Sequence, residues 1–596
     1  MTVRYRIAPA SPEAHLFDVT LELDRPAPEG QEFWLPAWIP GSYLMREFSR
    51  HVVSVEASCA GRPLALLKLD KLRWRTAPAD GPITLRYRVY AFDLSVRGAY
   101  LDTTRGFFNG SSVFLAAQGR EDEPCEVTIE RPAGKAYKDW QVATSLARAG
   151  AKAHDFGGYC AANYDELIDH PVELGEFSRI RFKACGVPHE IVIAGRHQAD
   201  MARLKKDIRK ICETQIRFFG EPAPFDRYVF LTFATGDGYG GLEHRASTAL
   251  ICSRDDLPLA HETGIKPGYR QFLGLVSHEY FHAWNVKRIK PAAFAPYALE
   301  REGYTRLLWA FEGVTSYYDD LMLLRAGLIG EQEYLDLLAQ TMTSVQRTPG
   351  RFMQNLEDSS FDAWIKYYRQ DENSPNSLVS YYTKGALAAL CLDLTLRQQG
   401  SSLDEVMREL WRRFGRDFEA LQRGVGEEEW EAVAQLVAGF DLTGFFERAL
   451  RSTDELPLAE LLAKFGVESQ LRPACGSHDK GGWQEKLPES KPVLGARSKT
   501  DEGMVRLTQV IDGGAAQRAG LAAGDLLVAL DGLRVTAANL DTLLAGQPGG
   551  AKRSLFAFRR DELREFTLTP LAAAADTWGL RMASSGQAGR KAWLGG

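Results

Sequence analysis

Apolar and polar residues alternate in short stretches at the start of the chain. Stretches such as "HLFDVTLELD" and "ITLRYRVYAFD" place apolar residues at nearly every second position, and Pro and Gly residues interrupt them. This pattern is typical of half-buried strands joined by turns. The sequence therefore predicts an N-terminal all-β domain over residues 1–168.

The pattern changes to longer, helix-like periods after residue 168. Stretches such as "ADMARLKKDIRKICETQIRFF" and "TRLLWAFEGVTSYYDDLMLLRA" carry apolar residues three and four positions apart, as amphipathic helices do. They predict a mainly helical domain over 169–465. A polar stretch predicts a linker over 466–490, strands around one short helix return over 491–577, and a tail that we expect to be poorly ordered covers 578–596. The expected fold class is multidomain α+β.

Composition narrows the class of protein. The 596 residues exceed one ordinary domain, and 45% hydrophobic with 25% charged residues is typical of a globular protein. The net charge of -6 argues against general affinity for nucleic acid or anionic membranes, and no segment has the roughly 20 apolar residues of a membrane span. We expect the short basic stretch "NVKRIKP" to be solvated.

The eight cysteines lack close C-x-x-C spacing, which favours reduced thiols and a cytoplasmic location.

The stretch "VSHEYFHAWNVKRIKP" carries two histidines four positions apart, His278 and His282. The apolar spacing from Tyr269 to Ile289 predicts one helix that ends before Pro291, so both imidazoles would lie on one helical face, one turn apart. Two histidines in that arrangement can bind the same metal ion. A helix that carries two partly exposed histidines and no metal is the alternative.

A catalytic zinc ion needs a third protein ligand and an open position for water. Glu312 lies in "LLWAFEGVTSYYDDL", where a carboxylate interrupts an otherwise apolar helix, and metal binding would explain its burial. Glu302, in "EREGY", is the competing candidate, but it lies among charged residues before the helix. We favour Glu312 and expect one Zn²⁺ per chain, bound by His278, His282 and Glu312, although ligand type alone does not exclude cobalt or manganese.

Glu279 follows the first histidine and is the candidate acid–base group. A carboxylate next to a metal ligand can take a proton from the metal-activated water and later deliver it to the leaving amine. A binding protein without catalytic activity would have no need of this residue. The motif therefore favours a metal-dependent hydrolase.

Several stretches together resemble a known family. "HEYFHAWNVKRIKP", "YTRLLWAFEGVTSYYDDLMLLRAGL", "GYGGLEHRAST" and "WIPGSYLMREFSRH" are similar to the M61 glycyl aminopeptidases, a group of gluzincin zinc metallopeptidases. The resemblance implies an N-terminal β domain, a thermolysin-like catalytic domain as in the larger M1 aminopeptidases, and a C-terminal PDZ domain. It also implies an aminopeptidase that prefers small N-terminal residues such as Gly or Ala.

The resemblance suggests how the oxyanion is stabilised. In M1 enzymes a catalytic tyrosine lies in a Y-x-K-G run, and "SYYTKGALAALCLDL" matches that run at Tyr382, with Tyr381 one position out of register. A tyrosine hydroxyl near the metal can donate a hydrogen bond to the developing oxyanion. The alternative is a pair of aromatic residues that only pack at the start of a helix.

The "GGLEH" run resembles the M1 G-x-M-E-N segment, which pairs with the substrate backbone. The match places Glu243 where a glutamate meets the substrate's free amine, and Gly240 and Gly241 would permit close approach of a peptide backbone. His244 stands where M1 enzymes have asparagine. A plain Gly-rich hairpin is the alternative.

Metal-bound histidines usually donate their second ring nitrogen to a carboxylate or a carbonyl. Ser316 and Asp319 follow Glu312 at i+4 and i+7, so either is a candidate for that position.

The C-terminal stretches "PVLGARS" and "MVRLTQVIDGGAAQRAGLAAGDLLVALDGLRV" resemble a PDZ domain. Such domains add a peptide as an extra strand and capture its terminal carboxylate with backbone amides. The matching loop is Leu494, Gly495 and Ala496. Binding of a peptide C-terminus and a role in packing or dimerisation both remain open, as does the oligomeric state.

The sequence therefore supports three competing hypotheses about function. The leading hypothesis is a zinc aminopeptidase that acts on peptide substrates. A PDZ-assisted endopeptidase is an alternative within the enzymes, and a peptide-binding adaptor with a relict metal site is an alternative outside them.

Overall fold

We describe a computed structural model of the chain, which covers residues 2–595. The chain forms two compact units. The first extends from the N-terminus to Gly303 and also includes Leu410–Gly426. The second comprises Tyr304–Glu409 together with the chain from Glu427 to the C-terminus.

The first part of the first unit is built from strands, as the alternating pattern predicts. In the strand Ile83–Tyr90, for example, the alternate residues Ile83, Leu85, Tyr87 and Val89 are buried. Sixteen strands and two short helices make up this part: β1 (Val3–Ser11), β2 (Leu16–Leu23), β3 (Glu32–Trp34), β4 (Val52–Cys59), β5 (Arg62–Leu64), β6 (Leu66–Lys68), β7 (Arg73–Thr76), β8 (Ile83–Tyr90), β9 (Ala99–Leu101), β10 (Arg105–Phe108), β11 (Ala116–Ala117), β12 (Cys125–Ile129), β13 (Gln141–Thr144), β14 (Ala147–Arg148), β15 (Gly157–Ala161), β16 (Val172–Gly175), α1 (Gly110–Val113) and α2 (Tyr164–Ile168).

These strands form three sheets. The largest has the order β14-β15-β12-β1-β2-β8-β4-β5, and the two four-stranded sheets have the orders β13-β16-β10-β9 and β11-β3-β7-β6. The core of this part is apolar and aromatic. The sequence-based prediction of an N-terminal β-rich domain is confirmed.

A five-stranded sheet and two long helices complete the main body of the first unit. The sheet order is β17-β18-β19-β21-β20, and its edge strand β20 runs antiparallel to β21. Asp200 caps the first helix by accepting hydrogen bonds from the backbone N–H groups of Ala202 and Arg203. The elements are β17 (Phe177–Ala184), β18 (Val187–Ala194), β19 (Tyr228–Thr235), β20 (Tyr239–Glu243), β21 (Ser247–Ser253), α3 (Met201–Phe219) and α4 (Pro267–Phe281).

The second unit is mainly helical at its start. The helix Thr383–Gln398 is buried along most of its length, which fits the apolar run "ALAALCL" at its centre. The helices of this part of the chain are α5 (Val314–Arg325), α6 (Glu331–Gln346), α7 (Leu356–Phe361), α8 (Ser374–Ser377), α9 (Thr383–Gln398), α10 (Leu403–Leu410), α11 (Phe418–Leu421, in the first unit), α12 (Glu429–Ala438), α13 (Thr443–Phe446) and α14 (Leu458–Lys464).

A small β-rich module follows in the same unit. Its main sheet has the order β24-β25-β26-β28-β29, and β27 pairs with β26. Leu507, Leu527, Leu530 and Leu555 lie in its separate hydrophobic core. The remaining elements are β22 (Val467–Arg472), β23 (Pro492–Val493), β24 (Ala496–Asp501), β25 (Met504–Val510), β26 (Leu526–Leu530), β27 (Leu533–Arg534), β28 (Arg553–Arg559), β29 (Glu562–Leu568), β30 (Leu571–Ala572), β31 (Thr577–Met582), α15 (Ala515–Arg518), α16 (Leu540–Ala545) and α17 (Gln587–Gly595).

The expectation of a poorly ordered C-terminal tail is wrong. Strand β31 pairs antiparallel with β22, which lies in the stretch expected to be a linker. Helix α17 then docks through Trp593, whose side chain is fully buried and whose indole N–H donates to the Tyr317 hydroxyl at 2.9 Å. Arg397 and Arg325 donate to the carbonyls of Ala592 and Trp593. The short, polar sequence gave no sign of these partners, because all of them lie far away along the chain.

Removing the Trp593 side chain should destabilise the second unit. We expect Trp593→Ala to lower its free energy of unfolding by about 3–5 kcal/mol, the usual cost of truncating a buried aromatic residue. Thermal or denaturant unfolding measures the change. Lys591→Ala, on the exposed side of the same helix, is the matched control and should leave stability within about 0.5 kcal/mol. Equal stability of both variants would show that α17 does not dock.

Two further observations concern the whole chain. All eight cysteines are free, as expected from their spacing. Among the residues described, no helix is both long enough and apolar enough to cross a membrane.

Candidate metal centre and substrate site

Helix α4 carries the two histidines of the HEYFH motif at its C-terminal end. The helix stops at Phe281 rather than continuing to Ile289, and His282 is its C-cap residue, with a φ of -61°. The Nε2 atoms of His278 and His282 lie 3.1 Å apart, so both rings present the same nitrogen to one point. Two imidazole nitrogens that converge in this way are suited to a shared metal ion.

The turn after α4 fixes the orientation of His282. The Nδ1 atom of His282 lies 2.8 Å from the carbonyl oxygen of Asn285, which leaves Nε2 available as a ligand atom. The same turn holds Val286 at a φ of +104°, a strained conformation for a β-branched residue. A backbone carbonyl therefore orients this histidine, and because any residue type supplies one, no sequence signal could have identified it.

The basic stretch that follows is buried, contrary to the expectation that it is solvated. Lys287 is 1% exposed, and its ammonium lies 2.7 Å from Asp169 Oδ1. Although burial opposes ionisation of Asp169, the charges of Lys287 and Arg245 hold the pKa of its carboxyl well below the usual value. Lys290 packs against the rings of Tyr297 and Phe418, and burial lowers its pKa to about 7. These charges have partners from distant parts of the chain.

Strand β20 runs beside the HEYFH helix. A methyl group placed on Gly241 would overlap Oε1 of Glu279, so only glycine allows the strand to come this close to that carboxylate. Glu279 is 6% exposed. Gly241 and Glu243 are two positions apart on the strand and therefore face the same side. Glu243 is thus directed toward the side of β20 that Glu279 occupies.

Glu243 is a buried carboxylate with an unused oxygen. It is 4% exposed, and its Oε1 atom has no hydrogen-bond partner among the residues that the structure describes. Gly41 lies against the same carboxylate. It has a φ of +89°, and a Cβ added to it would lie 2.5 Å from Glu243 Oε2. An unsatisfied buried carboxylate is costly unless a ligand completes its hydrogen bonds. Glu243 therefore has the features of a ligand-binding group.

Two contacts around this strand were not foreseen. Arg97, from the N-terminal β-rich part, donates to the carbonyl of Gly241 at 3.3 Å. His244 is buried, and its Nδ1 lies 3.3 Å from Asp169 Oδ1. The stretch "WIPGSYLMREFSRH" contains Gly41 and carried part of the family resemblance, but the sequence could not show that Gly41 meets Glu243.

Glu312 lies in the second unit on a wide helical turn. Residues Trp309–Gly313 form a π-helical turn directly before α5, and Glu312 is 2% exposed. Such turns in helices often occur at functional sites. A Cβ on Gly313 would lie 2.6 Å from Gly385 Cα, so the turn packs backbone against backbone on the start of α9. The carboxylate is therefore buried and held by a rigid support.

The two candidate tyrosines lie at the start of α9. The ring of Tyr382 stacks on Tyr381 at 4.7 Å and lies 5.4 Å from Tyr367. Tyr381 is fully buried, whereas Tyr382 is partly exposed. Burial and the charge of Glu312 raise the pKa of Tyr382 well above its usual value, so its hydroxyl keeps its proton near neutral pH. Of the two rings, only that of Tyr382 is partly accessible.

The three predicted metal ligands form a cluster. One donor atom from each of His278, His282 and Glu312 lies within 4.8 Å of the others. Two imidazoles and one carboxylate are a donor set that suits zinc. The residues therefore fit a bound zinc ion.

Ser316 and Asp319 lie on α5, after Glu312. Both are partly exposed. Their proposed contact with a metal-bound histidine stays a prediction, and for His282 the carbonyl of Asn285 already supplies such a partner.

The predicted carboxylate loop of the C-terminal module leads into the edge strand β24. Leu494 is buried in the module's core, Gly495 adopts a φ of +73°, and Ala496 begins the strand. Strand β24 pairs only with β25 among the residues described, which leaves its other edge free. A free edge next to a loop of backbone amides is the arrangement that β-strand addition requires.

Comparison with known proteins assigns most of these regions. Residues 4–176 match the Peptidase M61 N-terminal domain, residues 271–388 match M61 glycyl aminopeptidase, and residues 506–556 match a PDZ domain. No curated protein sequence matches the chain.

Solved structures provide a second comparison. An aminopeptidase N family protein from Idiomarina loihiensis is 43% identical, with a TM-score of 0.95, over 99% of this chain and 100% of that chain. An M1 zinc metallopeptidase from Deinococcus radiodurans is 13% identical, with a TM-score of 0.49, over 77% of this chain and 95% of that chain.

Proposed function

Because the chain belongs to the M61 glycyl aminopeptidase family, we propose that it removes small N-terminal residues, such as Gly or Ala, from peptides in a zinc-dependent hydrolysis. The unused, buried carboxylate of Glu243, on the strand that packs against Glu279, is the observation that carries this proposal. This carboxylate supports an enzyme that recognises the protonated N-terminal amine of its substrate. The cysteine pattern supports a cytoplasmic location.

His278, His282 and Glu312 would hold one zinc ion per chain. When bound, zinc lowers the pKa of a coordinated water to about 7 and polarises the scissile carbonyl. The carbonyl of Asn285 keeps His282 in the tautomer that a metal ligand needs. Metal analysis of the purified protein tests the stoichiometry.

Glu279 would move the protons. It would accept a proton from the attacking water and deliver it to the leaving amine, a role that is typically worth about 10²- to 10⁴-fold in rate. The close packing of Gly241 limits the positions that its carboxylate can adopt. Such restriction supports a fixed acid–base group.

Glu243 would bind the substrate's free amine. A protonated amine next to this carboxylate would complete its hydrogen bonding and fix the N-terminal residue beside the acid–base group. The backbone of Gly41 presses against the same carboxylate and limits the space there. This crowding supports a preference for small N-terminal side chains. Gly240 and Gly241 would pair with the substrate backbone along the edge of β20.

Glu243→Gln should weaken hydrolysis of free-amine peptides selectively. A charged hydrogen bond is worth about 1.5–3 kcal/mol, so kcat/KM for an Ala-Ala-type peptide should fall roughly 10- to 150-fold. The measurement is kcat/KM for free and N-acetylated peptides with both proteins. Acetylated peptides should be poor substrates for each. Efficient cleavage of acetylated peptides by the wild type would instead support an endopeptidase.

Tyr382→Phe should reduce kcat far more than it changes KM. The substitution removes one hydrogen-bond donor to the oxyanion and keeps the ring, so we expect a loss on the order of 10²-fold or greater. Steady-state kinetics on a short peptide measures it. Tyr381→Phe is the matched control because it removes the neighbouring, fully buried hydroxyl. An equal loss in Tyr381→Phe would contradict the assignment of Tyr382.

A further inference from the structure

A large cavity lies entirely within the first unit, apart from the candidate metal centre. Its volume is about 940 Å³, and its lining includes neither the candidate metal ligands nor Glu279 or Glu243. Exposed residues such as Asp122 and Asp226 also line it, so the cavity opens to solvent. Cavities of this size hold small organic molecules.

Lys290 contributes a buried ammonium group to this cavity. The residue is 2% exposed, and its Nζ atom lies 4.3 Å from the ring centroid of Tyr297 and 4.6 Å from that of Phe418. Among residues 2–595, no carboxylate forms an ion pair with this ammonium and no group accepts a hydrogen bond from it. The two rings attract the cation but do not replace an anionic acceptor. Lysines are almost never fully buried without a partner, so Lys290 lacks a counter-ion that the site has room to receive.

Arg288 is a second buried cation on the lining of the same cavity. It is 6% exposed. Its guanidinium donates to the carbonyl oxygens of Ala283 at 2.8 Å, Arg245 at 3.2 Å and Pro224 at 2.7 Å. These acceptors are neutral, and within the part of the chain that the structure describes no carboxylate pairs with Arg288. Burial lowers its pKa to about 10, so the group stays charged near neutral pH.

The neighbouring carboxylates are engaged by other cations. Arg245 lines the cavity as well, but its guanidinium pairs with Asp165 and Asp169. Asp169 also pairs with the ammonium of Lys287. Burial and the charge of Arg245 together lower the pKa of Lys290 to about 7. An anion bound beside Lys290 would restore its charged form, because a nearby opposite charge favours ionisation.

The rest of the lining restricts the kind of anion. Aromatic side chains line the interior, namely Phe225, Phe294, Tyr297 and Phe418. The exposed lining residues include several carboxylates, namely Asp122, Asp226 and Glu419. Carboxylates at the opening repel phosphates and other multiply charged anions, whereas aromatic walls favour an apolar body. One carboxylate on an apolar body satisfies both conditions.

We propose that this cavity binds a small organic monocarboxylate with an apolar or aromatic body. The carboxylate would lie at Lys290 and Arg288, and the body would pack on the rings of Tyr297 and Phe418. A free aromatic amino acid and a simple aromatic acid share this chemistry, and they differ in the ammonium group that the acidic opening would attract. The proposal does not depend on the aminopeptidase function.

Calorimetry with the full-length, zinc-loaded protein tests the ligand class. The probes are 3-phenylpropionate, phenylalanine, 3-phenylpropionamide and inorganic phosphate. We expect one acid molecule to bind per chain and the amide to bind at least about 10-fold more weakly, because charged hydrogen bonds are stronger than neutral ones. Tighter binding of phenylalanine identifies an amino acid as the ligand, and tighter binding of 3-phenylpropionate identifies a simple acid.

Three results of this experiment would overturn the proposal. They are equal affinities for 3-phenylpropionate and its amide, tighter binding of phosphate than of both acids, and no saturable binding of either acid in the millimolar range.

Lys290→Met tests where the acid binds. The substitution keeps an unbranched side chain and removes the cation, so the affinity for the acid that the wild type binds should fall about 10-fold or more. Lys206→Met is the matched control because it makes the same change at an exposed position of α3, outside the cavity lining, and should leave the affinity unchanged. Circular dichroism checks that both variants fold. Unchanged affinity in folded Lys290→Met would contradict the proposal, and the comparison of acid with amide in the wild type tests it without any variant.

The metal centre is the other place where a carboxylate can bind. His278→Ala removes a proposed zinc ligand that lies outside the cavity lining, so the affinity for the acid should equal that of the wild type. Binding that is lost in His278→Ala and retained in Lys290→Met would place the acid at the metal and overturn the proposal. Calorimetry needs no hydrolysis, so failure of the aminopeptidase function is distinguished from failure of the cavity site.

Discussion

Glu312→Ala should release the zinc and reduce peptide hydrolysis to the uncatalysed level. Two imidazoles alone leave a catalytic zinc site without its third protein ligand. Without the metal, the pKa of the attacking water rises far above 7, a change larger than any single acid–base group can offset. His278→Ala and His282→Ala should give the same result. Zinc content by elemental analysis and kcat/KM on a short peptide are the measurements.

Two further variants make this test specific. Glu312→Gln keeps the size of the buried side chain but replaces the carboxylate by an amide, so it should lose zinc without leaving a cavity. Glu302→Ala removes the competing carboxylate and should retain both zinc and activity. Stoichiometric zinc in Glu312→Ala would exclude Glu312 as a ligand, and loss of zinc in Glu302→Ala would identify the alternative.

Glu279→Gln should separate metal binding from catalysis. The side chain keeps its shape and its packing against Gly241, so zinc and the folded structure should be retained. The amide cannot accept the proton, and kcat should therefore fall by about 10²- to 10⁴-fold. Single-turnover and steady-state rates, together with zinc content, measure the two properties independently.

Tyr280→Phe is the control next to Glu279 in the chain. Its hydroxyl lies 2.8 Å from His189 Nε2, in the core behind the helix, so its loss should affect stability more than kcat. Activity near the wild-type level in Glu279→Gln would end the proposed role of Glu279. An equal loss of kcat in Tyr280→Phe would show that disturbance of α4, rather than proton transfer, explains the effect.

The sequence predicted the features that depend on local periodicity. Alternation with a period of two identified the N-terminal sheets, and the i, i+4 spacing brought the histidines onto one face of α4. The first prediction is confirmed, and the Nε2 atoms of the two histidines lie 3.1 Å apart although α4 ends at Phe281. A strand or helix fixes the direction of its own side chains. The family and the PDZ module were also identified from sequence, since their motifs are contiguous.

Predictions about exposure were less successful. "NVKRIKP" was expected to be solvated because four basic or polar residues usually face water, and the C-terminal tail was expected to be poorly ordered because it is small and polar. Asp169 pairs with Lys287 from more than 100 positions away, and Tyr317 receives Trp593 from more than 250. Burial of such residues depends on partners that no local pattern reveals.

The sequence by itself determined the residue types of the candidate site: two histidines, a glutamate within an apolar helix, a candidate acid–base glutamate and a tyrosine at the start of a helix. Only the tertiary structure decided what surrounds them. It brought Gly41 against Glu243 and placed the carbonyl of Asn285 at His282. The physical reason is that backbone groups and glycines act through position alone, and position is set by contacts between distant segments rather than by the identity of neighbouring residues.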